Sequence, residues 1–224
     1  MAYTTITDPS VYFQTQLFTG TGSSLSVTNT GNADLQPDLV WIKNRDIAAS
    51  HVLTDTTRGA TKSLFSDQTS GESTETQQLT SFNSDGFTVG TSNNVNGNGN
   101  GSVAWQWKAN GGTTATDTNG AVNSTVQANT TAGFSIVTWT SAGSTNVGHG
   151  LGVAPNLIIM KARNGAENWL VSSDEIGWTK RIRLNLTSGS ATSSAFGQAP
   201  TSSIFYCNPA SSSYNYVAYC FAEK

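Results

Sequence analysis

Short runs in which apolar and polar residues alternate, each closed by a cluster of Gly, Asn, Ser or Asp, recur along the whole chain. Two of these runs are versions of one another. Pro37-Asp-Leu-Val-Trp-Ile-Lys-Asn-Arg45 and Pro155-Asn-Leu-Ile-Ile-Met-Lys-Ala-Arg163 each read Pro-x-Leu, three large apolar residues, then Lys-x-Arg, and they lie 118 residues apart. β-Branched and aromatic residues fit a pleated, half-buried surface, and Pro suits the mouth of a strand, where an N–H can be spared. The spacing returns elsewhere. Trp169-Leu-Val171 sits 118 residues after His51-Val-Leu53, Gly177-x-Thr179-Lys180-x-Ile182 after Gly59-x-Thr61-Lys62-x-Leu64, and Phe205 after Phe87. Val217-Ala-Tyr-x-Phe221 follows Val103-Ala-Trp-x-Trp107 by 114, which a four-residue deletion in the preceding loop explains. A constant offset over separated blocks marks one building block used twice.

The remaining strands follow from the same alternation. Residues 11–18 form a strand-like run, of which 13–18 resemble 134–139, and 25–29 alternate weakly, with Leu25 and Val27 on one face. Ser84-Asp-Gly86 is a turn signal before Phe87-Thr-Val89, and 103–108 alternate with Trp105 and Trp107 on one face. Residues 66–80 read as a polar loop with a weak strand signal at 76–79, and 92–101 as a loop. No stretch of a dozen residues keeps apolar positions at helical spacing. Turn signals roughly every 8–12 residues predict an all-β chain of two tandem antiparallel β-sandwich repeats, 1–112 and 128–224. A Gly/Thr/Asn-rich linker, 113–127, joins them, and 121–127 within it read as an added strand. One continuous sandwich shared by both halves is the alternative.

Composition narrows the function classes. Only 11% of residues are charged, against about 25% in ordinary domains, so hydroxyls and amides solvate the surface, which suits an extracellular or virion-borne protein. The 9% aromatic content, placed in periodic runs, argues against disorder. The net charge of −3 gives no basic signature for nucleic acid, and no apolar run approaches the ~20 residues of a membrane span. Residues 1–10 have neither the basic start nor the apolar core of a secretory signal, so export by that route is not expected. Cys207 and Cys220 are too few for a disulfide framework or a thiolate metal site, and read as small packed side chains.

Candidate chemistry is sparse. Lys43 with Arg45, and Lys161 with Arg163, form the charge motif shared by both repeats; alternation puts Leu39, Trp41, Lys43 and Arg45 on one face. They suit an anion or sugar-acid site, or a strand leaving the core with snorkelling stems. In Lys180-Arg-Ile-Arg-Leu-Asn-Leu186, alternation predicts Ile182, Leu184 and Leu186 inward, and Arg181, Arg183 and Asn185 outward. The first repeat has Ser63 and Phe65 at the aligned positions, so this charge belongs to the second repeat alone; it fits an acidic partner or an anionic glycan, or a charged guard on a sheet edge. His51 and His149 have no ligand-spaced companions, and neither a nucleophile elbow nor a facing carboxylate pair is visible. No catalytic residue, cofactor or metal site is therefore predicted.

On these blocks, the chain resembles the repeated concanavalin-like/jelly-roll β-sandwich domains of marine bacteriophage virion proteins. The resemblance rests on Tyr12-Phe13 with Leu17-Phe-Thr-Gly20, Pro37 to Arg45, His51-Val-Leu53 with Arg58-Gly-Ala-Thr-Lys62, and Ser84-Asp-Gly-Phe-Thr-Val-Gly90. It continues through Val103 to Lys108, Gly148-His-Gly-Leu-Gly-Val-Ala-Pro155 and Val217-Ala-Tyr-Cys-Phe-Ala-Glu223, and so covers nearly the whole chain. It implies a structural or tail-fibre protein of the virion, assembled in the host cytoplasm and released by lysis. The expected function is non-enzymatic adhesion to the host surface, with a glycan as the expected ligand class; a capsid decoration protein is the alternative. Other virion proteins and further copies of the chain, first of all as a trimer, are the expected partners, with no nucleic acid and no membrane span.

Overall fold

An alternating strand has one apolar face and needs a second sheet to cover it. The computed structural model, which describes residues 6–208 and 212–224, answers that need twice. The chain divides into an N-terminal unit, Ala2–Gln68 with Glu72–Gly112, and a C-terminal unit, Thr113–Lys224 with Thr69–Gly71. The predicted lack of a secretory signal falls partly on residues 1–5, outside the described residues.

The N-terminal unit contains β1 (Phe13–Thr19), β2 (Leu25–Val27), β3 (Leu39–Asn44), β4 (Val52–Asp55), β5 (Lys62–Phe65), β6 (Ser73–Thr74), β7 (Leu79–Asn83), β8 (Gly86–Val89) and β9 (Gly101–Trp107). They form a six-stranded sheet in the order β1-β9-β3-β4-β5-β6 and a three-stranded sheet, β2-β8-β7, all antiparallel. Val40, Ile42, Val52, Phe65 and Ala104 of the larger sheet meet Val27, Leu79, Phe87 and Val89 of the smaller in one core. Each large apolar side chain so buried contributes roughly 1.5–3 kcal/mol. The predicted 66–80 loop contains β6 and the start of β7, and the predicted 92–101 loop contains one helical turn, α1 (Asn93–Asn96). The Ser84-Asp-Gly86 turn joins β7 to β8. Gly86 sits at φ +102, where a Cβ would also strike the Val27 carbonyl, so glycine is required there.

The C-terminal unit contains β10 (Ala115–Asp117), β11 (Ser124–Asn129), β12 (Phe134–Thr140), β13 (Thr145–Gly148), β14 (Leu157–Ala162), β15 (Leu170–Ser173), β16 (Lys180–Arg183), β17 (Ala191–Thr192), β18 (Ile204–Cys207) and β19 (Asn215–Phe221). Eight form one sheet, β10-β11-β12-β19-β14-β15-β16-β17, opposed by the β13-β18 pair. Trp139, Ile158, Met160, Ala218 and Cys220 meet Val147, Phe205 and Cys207 in a core of their own. The strand anticipated at 121–127 corresponds to β11, and β10 pairs with it.

The two sheets share a register. β3, β4, β5, β6 and β8 begin and end 118 residues before β14, β15, β16, β17 and β18. Leu39 lies opposite Trp107 and Asp55, and Leu157 lies opposite Phe221 and Ser173. Strand β9 sits between β1 and β3, as β19 sits between β12 and β14. Even the residue after the mouth proline does related work. Asp38, fully buried, accepts the N–H groups of Ala109 (2.7 Å), Gly111 (2.9 Å) and Gly112 (2.8 Å) and the Thr56 hydroxyl (2.8 Å). Its counterpart Asn156 accepts the N–H of Glu223 (2.7 Å) and donates to Asp174 (2.6 Å). Both side chains fasten the chain leaving the strand beside them. The units differ in two places: β10 and β11 extend the C-terminal sheet beyond β12, and β7 has no strand equivalent at 197–201.

Candidate functional site

Residues directly opposite one another on antiparallel strands share a face. Met160, a core residue, lies opposite Leu170, which packs against the same core, and Leu170 lies opposite Arg183. Arg183, and Arg181 two residues before it, therefore project from the core-facing side of the large sheet. This corrects the expectation that they point outward. The inward assignment of Leu184 and Leu186 fails too: β16 ends at Arg183, and both leucines are exposed. In the N-terminal unit the positions 118 residues earlier belong to the interior. Phe65 joins the core there, and the Ser63 hydroxyl lies 3.4 Å from that of Thr54.

The arginines line a cleft of about 300 Å³ with Glu167, Asn168, Ser194 and Asn208. Leu170 of β15 and the two arginines of β16 border it together with the 166–168 segment, Ser194 and Ala195. The Arg181 guanidinium donates to Ser193 Oγ at 2.8 Å. Burial, and then the like charge of Arg183, hold Arg181 below the ordinary arginine range. Among the described residues no carboxylate lies within ion-pair distance of either guanidinium. Glu167 is oriented by the core, because Oε2 accepts the Tyr216 hydroxyl at 3.1 Å and Tyr216 stacks on Trp139 with centroids 5.5 Å apart. Asn168 accepts from Asn185 (2.9 Å), and Asn208 accepts from Ser144 (2.7 Å). The result is a pre-oriented set of two permanent cations, one carboxylate and several amides. Guanidiniums do not give up protons near neutral pH, so what the two arginines offer here is fixed positive charge and hydrogen-bond donors.

The other cations predicted as contacts lie elsewhere. Lys43 Nζ donates to the carbonyls of Asn44 (2.5 Å), Ala49 (3.2 Å) and Ile47 (3.3 Å), and so ties down the turn after β3. Lys161, 1% exposed, donates to the carbonyls of Ala162 (2.9 Å) and Gly165 (3.4 Å). Burial pushes its ammonium down to about 8, with the charge of Glu167 acting the other way. Arg45 is exposed beside its own strand end. Arg163 borders a second depression, of about 280 Å³, with Asn123, Thr125, Thr138 and Asn215. The structure thus groups Arg181 with Arg183 and leaves Lys43, Arg45, Lys161 and Arg163 outside that cleft.

Three other groups turn out to be interior. Trp139, Trp169 and Trp178 are buried, whereas Trp41, Trp105 and Trp107 are half-buried on the sheet face away from the core. Cys207 and Cys220 are unbridged core thiols, each pushed up to about 12 by burial. His149, placed by its sequence in a glycine turn, is fully buried. Its Nδ1 accepts from the Leu151 N–H (3.3 Å) while Nε2 faces the Thr201 carbonyl (3.1 Å). Among the described residues no cluster of His, Cys, Asp and Glu could hold a metal ion, and no helix is long and apolar enough to cross a membrane.

A family model described as a domain of unknown function (DUF7483) matches residues 8–224. The chain belongs to that family. A single family model therefore runs through both units. No curated protein and no solved structure matches the chain.

Proposed function

We propose that the chain is a non-enzymatic virion protein of a bacteriophage, exposed at the tail, that attaches the particle to its host's surface. The observation that carries this reading is the arginine cleft. Where the N-terminal unit closes its core with Phe65, the C-terminal unit of the same register has a half-buried cation opening on solvent. A duplicated scaffold that keeps one copy closed and opens the other has given up core for recognition. The weakly charged Ser/Thr/Asn/Gly surface and the strand signatures shared with phage sandwich domains support a particle-borne setting. A two-sandwich element also suits a fibre, in which copies associate about a symmetry axis, as a trimer.

The test is location and adsorption. The protein is labelled on intact particles, and the soluble chain is offered to host cells as a competitor. Tail labelling with slowed adsorption is the expected result. Ordered labelling over the head with adsorption unchanged would replace the adhesin with a capsid decoration protein, held by symmetric contacts and recognising nothing outside the particle.

A further inference from the structure

We propose that the Arg181/Arg183 cleft binds the carboxylate-bearing ring of an acidic saccharide. The choice of a surface saccharide rests on the proposed attachment role; the charge pattern comes from the cleft itself. Two guanidiniums on alternate residues of one strand project into one depression, where the like charge of Arg183 acts on Arg181. Like charges held together in a partly desolvated place repel, and a bound anion relieves that repulsion. Planar guanidinium forks suit a planar carboxylate, which they take in paired, charge-assisted hydrogen bonds.

The rest of the lining says what the carboxylate is attached to. Glu167 carries a negative charge into the same cleft, and the Tyr216 hydroxyl holds only one of its oxygens in the observed contact. A bare sulfate, with two charges and no donors at neutral pH, meets that carboxylate as repulsion. A sugar acid meets it as an acceptor, because ring hydroxyls donate. Asn168, Ser194 and Asn208 add amide and hydroxyl groups that both donate and accept, as a polyhydroxylated ring requires. A volume of about 300 Å³ is at the small end of ligand sites, and suits one sugar ring rather than a long segment of glycan. In the N-terminal unit the buried Ser63 and Phe65 occupy these positions, so the pair of guanidiniums is missing there.

The experiment is calorimetric titration of the full chain with an oligogalacturonate, with the neutral galacto-oligosaccharide of the same length, and with sodium sulfate, at low and moderate salt. The expected result is saturable binding of the uronate, at least about tenfold weaker binding of the neutral sugar, and weakening with salt, in keeping with a charge contact in a cleft open to solvent. Replacing the pair by the residues of the other unit, R181S with R183F, is expected to abolish uronate binding. The milder pair R181Q and R183Q, with circular dichroism and thermal unfolding unchanged, is expected to do the same and guards against a folding defect. Equal binding of neutral and acidic sugars, sulfate competing as well as the uronate, or undiminished binding by a folded R181Q/R183Q chain would each overturn the proposal. The adsorption assay separates the two readings. If the soluble chain blocks adsorption and the R181Q/R183Q chain blocks it equally, attachment stands and the cleft assignment falls. If neither blocks while the uronate still binds wild type alone, attachment falls and the cleft keeps its ligand.

Discussion

At the scale of single residues, burial decides which groups titrate where. The Leu151 N–H points at His149 Nδ1, an arrangement that assigns the proton of the neutral ring to Nε2, facing the Thr201 carbonyl. Burial lowers its pKa below 6.5, against the raising influence of the Thr201 carbonyl and Asp117. Between the folded value and 6.5 the unfolded chain binds more protons, so stability is complete above that window and is lost as pH falls through it. Urea unfolding at pH 7.5, 6.5 and 5.5 is expected to give a declining midpoint for wild type and a smaller decline for His149→Gln; parallel declines would assign the loss to the carboxylates instead. The thiols make a simpler case. With Cys207 and Cys220 both raised to about 12 and out of water, Ellman's reagent is expected to find no reactive thiol in the native protein and two after unfolding. The sequence supported packed cysteines, but nothing in Gly148-His149-Gly150 marked the histidine as interior, because turn composition speaks for exposure and its burial is set by residues about fifty positions away.

Among the elements, strands were legible where both faces had a reason to alternate. Val40 and Ile42 inward against Trp41 and Lys43 outward follows from period two, and the structure keeps that pattern. Strand β16 breaks the rule that charge marks the wet side. At the end of a sheet, beyond the reach of its partner, the core-facing side is wet as well, and no local pattern shows where the partner stops. That length is set by the loss of a β7 equivalent some fifteen residues later. Asp38 carries a signal in the sequence, since Asx follows proline in both copies. Its role carries a large expected effect. Asp38→Ala strands three N–H groups and a hydroxyl, each worth roughly 1–3 kcal/mol when left unsatisfied in the interior, so a loss of about 3–5 kcal/mol is expected in denaturant unfolding. Thr56→Ala, which removes one of the four donors, is expected to lose about 1 kcal/mol. A loss under about 1 kcal/mol for the aspartate variant would mean that water takes over all its partners.

For the molecule as a whole, the 118-residue offset was legible because five pairs of strands keep that spacing. The all-β class was legible for the same reason. Two cores of separate membership make a further expectation. Phe65→Ala, which hollows the N-terminal core at about 3–5 kcal/mol, is expected to lower one of two calorimetric transitions and leave the other in place; a single transition moving as a whole would mean the units melt together. Chain order adds a constraint on synthesis. The sheet partners β1 and β3 are separated until β9 arrives between them, and β12 and β14 wait in the same way for β19. A nascent chain therefore holds two half-sheets with unsatisfied inner edges, and the row Val40–Ile42 or Ile158–Met160 stays uncovered on one side until the closing strand clears the ribosome. In the C-terminal unit that strand is the last of the unit to be made, so closure there waits for every other strand, and the open edges are the places where a chaperone, or a neighbouring copy, would first take hold.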